Sequence, residues 1–500
     1  MISRSPQYLP QADRIGQALA RNRLGVGSVV FFVLSAAAPL TVVAGVLPTG
    51  YAATGITGLP IAFLAVGTVL ALFAVGYVEM ARRVANAGAF YTYITHGLGR
   101  PSGVAAAWVS LLTYNTLQVA LYGGIGAAAA PLLADWLGWD LPWWLLALAM
   151  WLLVGSLGLA RVDINGKILA LLLSGEVAVI VLFGLTNLAH PTFAAGGVDM
   201  ALSALSPASL FSPGIGALLA IAVLGFVGFE AAVVYSEESR EPGRTVPTAT
   251  YISIATIALL YGLFAWTMQI PLGSDAIVEA SQKHGAETIF VMAGEHLHPT
   301  VITVARILFV TSVFAAALAV HNTTGRYVFA LGREGVLPSI FGRTSPRSGA
   351  PIAGSLTQSA IALAVIVTFA VFGADPVPTL FFAGGALGGL GILLLASATA
   401  IAIVVYFARR PRGLGLVRRR WAPTAAAVLL LAMLTLVLFN FHLILGVPEG
   451  DSLAWVLPSM FVFATMLGLA WAALMRATRP DQYQQVGLGA DADLASTRTV

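Results

Sequence analysis

Apolar residues run along this chain in long unbroken stretches, not in strand alternation or the narrow stripe of a surface helix. A helix that crosses a bilayer needs about 20 mostly apolar residues. Twelve stretches answer to that, at 25–49, 57–82, 102–129, 141–160, 165–187, 211–235, 246–271, 299–323, 350–373, 378–408, 421–446 and 452–475, here numbered spans 1–12. Barrel strands would alternate in short runs, and these runs are continuous. Span 1 does not read as a cleavable signal, because a polar basic tail (1–24) precedes it and eleven spans follow. The predicted fold class is an all-α polytopic membrane protein with twelve transmembrane helices. A short surface or bent helix is predicted from Asn86 to Gly99, leading into span 3, and another within 275–297. The polar segment 477–500 predicts a disordered tail.

Composition narrows the class. Of 500 residues, 58% are hydrophobic and 10% charged, with mean hydropathy +0.88; soluble domains are about 25% charged. The absence of cysteine excludes disulfide scaffolds, thiolate catalysis and cysteine metal sites. The net charge of +4 would suit nucleic acid, but the positions of the 26 Lys and Arg residues argue otherwise. All but Lys283 and Arg306 fall in the N-terminal tail, in connections after even-numbered spans, or after span 12. Positive residues favour the cytoplasmic side. Both termini are therefore expected in the cytoplasm, in a cytoplasmic (inner) membrane, with basic clusters touching anionic lipid and no nucleic acid partner. The histidines form no metal-ligand set: His296 and His298 beside Glu295 are their only local cluster. With no phosphate loop and no ATP-binding domain, neither an enzyme nor an ATP-driven pump is expected, and no cofactor beyond a coupling ion.

Two spans are interrupted near their midpoints. Span 1 reads Ser35-Ala36-Ala37-Ala38-Pro39, where proline removes a helical hydrogen bond and clashes with the preceding turn. Span 6 reads Gly225-Phe226-Val227-Gly228-Phe229-Glu230. Five spans separate the breaks, and a five-span unit repeated once inserts its second copy upside down. Broken helices at matching positions of inverted halves point to a transporter site, since unwound backbone at membrane depth is tolerated only beside protein or a cavity. A plain kink or close helix packing is the alternative for either break alone.

Three motifs then resemble the amino acid–polyamine–organocation transporter superfamily. They are Gly228-Phe229-Glu230 with Ser236-Glu237-Glu238-Ser239-Arg240-Glu241-Pro242-Gly243-Arg244-Thr245-Val246-Pro247, Asn86-Ala87-Gly88-Ala89-Phe90-Tyr91-Thr92-Tyr93, and Arg326-Tyr327 through Gly335-Val336-Leu337-Pro338. The resemblance covers roughly residues 20–410. It implies a five-plus-five inverted-repeat core, with repeats at 25–187 and 211–409 and two further helices at 421–476. It also implies alternating access and transport of an amino acid or related amine such as a polyamine. In that family the unwound parts of spans 1 and 6 hold the substrate's carboxylate and amino group, which maps here to Ser35, Ala36, Ala37, Ala38 and Pro39 and to Gly225, Phe226, Gly228, Phe229 and Glu230. The family's glycine-rich stretch in span 1 is replaced by Ala-Ala-Ala-Pro, which keeps backbone donors but changes the room around them.

Ionisable groups inside spans are functional candidates by default. Glu176 in span 5 reads as a proton carrier or a counter-ion for a cationic substrate; otherwise it is a protonated carboxyl bonded to a neighbouring helix. No lysine stands where some relatives carry one in span 5. Glu230 contacts substrate amine or proton, or caps the broken helix. Phe226 and Glu230 share a helical face, suiting an aromatic gate. Thr311 and Ser312 in span 8 are the hydroxyl pair with which related five-plus-five transporters hold sodium, or else they bond their own helix. Tyr114, Asn115 and Gln118 line the pocket or bridge helices; Phe381 and Phe382 cap it or pack. Glu79 is expected to pair with Arg82 and Arg83, Glu237 and Glu238 to serve a cytoplasmic gate or salt bridges, and Arg306 to snorkel outward. The resulting expectation is secondary active transport, coupled to protons, with sodium coupling or uncoupled exchange as alternatives, and a passive channel or a sensor as rivals of another class. Substrate identity and oligomeric state are not legible.

Overall fold

The computed structural model describes residues 22–489 together with Leu19, apart from 85, 192–201, 212, 412 and 414. Most of the N-terminal tail and residues 490–500 therefore lie outside the described residues. Among the described residues, regular structure is helical save for one isolated bridge between Leu24 and Ser239. Ten helices among the described residues are long and apolar enough to cross a membrane: Val26–Thr54, Leu59–Ala81, Arg100–Leu137, Asn165–Ala189, Pro242–Gln269, Pro299–Arg333, Ile352–Val371, Val377–Arg409, Val417–Phe439 and Leu453–Thr478. Spans 4 and 6 are occupied by the shorter apolar helices Trp143–Gly158 and Ile215–Gly225.

Two spans outrun the sequence boundaries. Span 3 has 38 residues and span 8 has 35, more than a hydrocarbon core of about 30 Å requires at about 1.5 Å per residue. Arg326 and Arg333, assigned from sequence to the connection after span 8, belong to its last turns. The basic connections meet on one face. There the amide of Arg23 donates to the Glu238 carbonyl (2.9 Å), and Arg82 and Arg409 donate to the carbonyls of Gly243 and Gly97.

Of its two expected forms the segment 86–99 takes the bent one, leading into span 3 through Gly99 and not lying on the surface. Its helix, Ala89–Leu98, is buried from Ala89 through Thr95 and packs between spans 3 and 10. Gly97 has no room for a side chain against the backbone of Ala402. An amphipathic pattern marks a face that seeks burial, and here protein supplies it. The region 275–297 holds two helices, Ser274–His284 and Thr288–Gly294.

The start of the expected disordered tail is also ordered. After span 12 comes a helix, Pro480–Gln485, and Val486 is only 2% exposed. The anchor is Glu334, just past span 8. Its buried carboxylate accepts from the amides of Gly487 (2.6 Å) and Gly489 (2.8 Å) and from Asn86 Nδ2 (2.7 Å). Burial raises the Glu334 carboxyl above its usual range, while these N–H donors and Arg333 pull it down. Arg100 donates to the Gln484 carbonyl and lies over Tyr483. Composition predicted disorder because it counts polar residues, whereas one buried acceptor collects three donors that the segment and its neighbour offer. Glu334→Ala strands those donors, each costing about 1–3 kcal/mol when buried and unpaired, so the segment should leave its seat. Chymotryptic cleavage after Tyr483 is expected to quicken at least tenfold; an unchanged rate would show that Glu334 does not hold it.

Candidate substrate and ion site

The break in span 1 follows from two residues. Pro39 offers no N–H, and Ala38 takes a left-handed backbone (φ 48°). The first half, Val26–Ala36, ends there and a new helical stretch begins at Pro39, so the amides of Leu40 and Thr41 open a helix N-terminus. Free amides and the helix dipole make such an end attractive to anions. Both amides are met by side chains from other spans. Leu40 N donates to Glu176 Oε2 (3.2 Å), and Thr41 N donates to Ser312 Oγ (3.2 Å). Ser312 Oγ also accepts from Thr41 Oγ1 (3.0 Å) and donates to Glu176 Oε2 (2.7 Å). From span 7, Tyr261 OH donates to the Ala37 carbonyl (3.0 Å). The unwound backbone is thus tied to spans 5, 7 and 8.

Span 6 repeats this logic. Its first half stops at Gly225, and Gly228 has φ 104°, a conformation that favours glycine. Gly228 N donates to Glu230 Oε2 (3.0 Å) and Tyr114 OH donates to Glu230 Oε1 (2.8 Å). Tyr77 OH reaches the Glu230 carbonyl (3.3 Å). Gly228 lies against Ala36 and Ala37, so the two breaks touch. Glu176 is 1% and Glu230 0% exposed. Among the described residues neither carboxylate has an ion-pair partner. Each break therefore carries one buried carboxylate that accepts from its unwound backbone.

Beside the breaks lies a cavity of about 100 Å³. Ala36, Ala37, Ala38 and Val227 bring the breaks to it, and Leu117, Ala316 and Phe382 bring spans 3, 8 and 10. Its lining continues along span 1 to Ala53, about 20 Å beyond the break by helical rise and away from the arginine-rich face. Phe381 crosses this side, packed into the hollow at Gly124 and beside Gly45. Toward the arginine-rich face the way is blocked. Phe32 stacks on Tyr235 (4.5 Å between centroids), and the Arg326 guanidinium lies 4.6 Å over the same tyrosine. Arg326 forks onto Glu238, and Arg333 onto Glu237 (2.7 and 2.8 Å). Glu237 also accepts from the Ala87 amide (3.1 Å), joining the connection between spans 2 and 3 to the same closure.

The structure brings together Glu176, Ser312 and the span 1 break, and separately Glu230, Tyr114 and the span 6 break. Ser35 and Pro39 are buried beside the cavity wall without lining it. Other candidates part from the site. Thr311 donates to Leu308 O within its own helix. Asn115 donates to Leu111 O and faces a second pocket between spans 3, 9, 10 and 12. Gly225 and Phe226 pack on Phe63 of span 2, and Phe229 on Phe73. Phe226 thus sits in the core and not across the cavity: once the helix unwinds, residues four apart no longer share a face. Phe381 and Phe382 both line the cavity. Glu79 pairs with Arg82 and Arg83 (2.9 Å each), and Arg306 reaches outward to Glu287 (2.6 Å) and Asp135 (3.7 Å). Thr41, Val227, Tyr77 and Tyr261 were missed. Apolar and aromatic residues in an apolar run carry no signal of which face they turn to the site. Among the described residues no acidic, histidine or cysteine cluster fits a metal ion.

The family profile described as amino acid permease matches residues 24–471. The chain is 24% identical over 341 residues to a lysine-specific permease of Lactococcus lactis, covering 65% of each protein. It is 23% identical over 297 residues to a low-affinity putrescine importer of Escherichia coli, covering 59% of this chain and 63% of that one. It is 26% identical over 370 residues to a probable GABA permease of Pseudomonas aeruginosa, covering 69% of each. The chain thus spans somewhat less than two thirds of the length of the first two curated relatives. With a profile matching most of its length and helices that answer the membrane-spanning pattern, this multi-pass membrane protein belongs to the amino acid permease family.

Proposed function

We propose that the protein is a secondary active transporter of an amino acid or related amine, working by alternating access across the cytoplasmic membrane and coupled to protons through Glu176. The observation that carries this reading is the meeting of two broken helices at one cavity closed toward a single face, with a buried carboxylate on each break. A channel needs a continuous polar path, whereas this cavity is apolar and stops at the Phe32–Tyr235 stack. Relatives named for lysine, putrescine and GABA support the substrate class.

In this reading the halves are spans 1–5 and 6–10, both termini are cytoplasmic, and the arginine-rich face is the cytoplasmic one. The conformation is then closed inside, with the Glu237–Arg333 and Glu238–Arg326 pairs as the inner gate and Phe381 and Phe382 at the outer mouth. Protonation of Glu176 removes a charge from the Leu40 amide and loosens the tie between spans 1, 5 and 8. Substrate binding and gate exchange follow on that loosened tie. Sodium is the second reading, since oxygens of Glu176, Ser312 and Thr41 converge.

The test is uptake of labelled amino acids and polyamines into proteoliposomes under an inward proton gradient, then under a sodium gradient. Saturable uptake driven by protons, with counterflow of preloaded substrate, is expected. Uptake driven by sodium alone would move coupling to the Ser312–Thr41 oxygens. Flux without saturation or counterflow would favour a channel, and no uptake of any solute would overturn the transport reading.

A further inference from the structure

We infer that the substrate is a neutral amino acid with an apolar side chain, and that solutes with a second positive charge, such as lysine and putrescine, are rejected. This rests on the transport reading above. What carries it is the chemistry of the cavity wall: among the described residues Thr41 and Thr49 are its only polar side chains, and none of the described lining residues is ionisable. The rest is alanine, valine, leucine, isoleucine, glycine and the phenylalanine pair.

The two nearby carboxylates do not change this. Glu176 and Glu230 are absent from the wall and lie behind the backbone of the breaks. Glu176 Oε2 already accepts from Leu40 and Ser312, and the two Glu230 oxygens accept from Gly228 and Tyr114. A zwitterion's two charged groups can lie against the unwound segments, with amide and carbonyl dipoles at hand. Its side chain must then point toward Leu117, Leu224 and Phe382. A side-chain ammonium there has no counter-charge, and burying an unpaired cation is strongly unfavourable. An aliphatic chain gains instead, about fourfold in affinity per buried methylene. Lysine and putrescine are the solutes in the names of two relatives at 24% and 23% identity, so this inference sets the chain apart from them in substrate.

Gly385 of span 10 makes the inference testable without disturbing the fold. It lines the cavity, and a Cβ there would meet only Leu224 methyl carbons, at 3.8 Å or beyond. Gly385 is helical, so Ala or Val there puts bulk into the cavity without backbone strain. Labelled leucine, alanine, lysine and putrescine would be offered to reconstituted wild type, Gly385→Ala and Gly385→Val. Wild type should take up leucine at least about a hundredfold better than lysine or putrescine, judged by kcat/KM. Gly385→Ala should raise the leucine KM several-fold and Gly385→Val more, with alanine within about twofold in Gly385→Ala. Uptake of lysine or putrescine as good as that of leucine would overturn the substrate class and leave the transporter standing. An unchanged leucine KM in both variants would overturn the placement of the side chain. No uptake of any solute by wild type would overturn the transport reading itself, and this inference with it.

Discussion

Glu176→Ala is expected to lower the initial rate of uptake more than about 100-fold, the largest loss for any single side chain in the site. Its carboxylate collects the Leu40 amide and the Ser312 hydroxyl, and Ser312 in turn collects Thr41. Removing the carboxylate leaves two buried donors without an acceptor, at about 1–3 kcal/mol each. The strand of backbone those donors hold is the one the substrate must meet. A factor of 100 corresponds to about 2.7 kcal/mol, well inside that range. Glu176→Gln separates structure from coupling. Its amide oxygen still accepts one of the bonds, but it cannot carry a proton. Counterflow should survive in Glu176→Gln while gradient-driven accumulation disappears. Accumulation at the wild-type level in Glu176→Gln would remove Glu176 from the coupling path. Purified yield and thermal unfolding of each variant in detergent check that the protein is folded.

Gly228→Ala is expected to damage both stability and transport, because it strikes where the broken helices touch. The backbone at φ 104° is outside the range a side chain adopts readily, a penalty of about 1–2 kcal/mol on the left-handed scale. A Cβ would also lie 2.7 Å from the Ala36 Cβ and 3.1 Å from backbone atoms of Ala36 and Ala37. Backbone cannot rotate away as a side chain can, so overpacking adds about 1–3 kcal/mol. The sum, about 2–5 kcal/mol, should appear as a clear drop in the unfolding midpoint, and uptake should fall at least tenfold. Gly243→Ala is the control. Gly243 is exposed, with nothing within 4 Å of its would-be Cβ, and it should leave both quantities nearly unchanged. Equal damage from the two substitutions would mean that contact between the breaks is not what Gly228 secures.

The buried polar residues illustrate what sequence can carry. Glu176 and Glu230 stand out in any reading, because a carboxylate in an apolar run must be satisfied somewhere. Which groups satisfy them was not legible. Glu176 finds Ser312 136 positions away, and Tyr114 finds Glu230 116 positions away. Such pairings depend on helix rotation and register, which uniformly apolar spans do not encode. Thr311 and Ser312 are adjacent and chemically alike, yet one bonds its own helix and the other closes the site. Neighbours in a helix point about 100° apart, and only the packed bundle selects which of the two faces span 1.

The same division runs through the fold. Length, continuous apolar runs, basic residues grouped in alternate connections and two interruptions five spans apart determined that this is a multi-span helical membrane protein with broken helices. Those properties follow from the cost of exposing peptide groups and charges to hydrocarbon, which acts locally on sequence. Only the tertiary structure decided that the two breaks touch, that Glu176 of span 5 reaches the first of them, that Phe226 turns into the core and that Glu334 seats residues 487–489. These are matters of which donor meets which acceptor across the bundle. Hydrophobic burial drives segments together without direction, and close packing with complete hydrogen bonding then selects one arrangement among them.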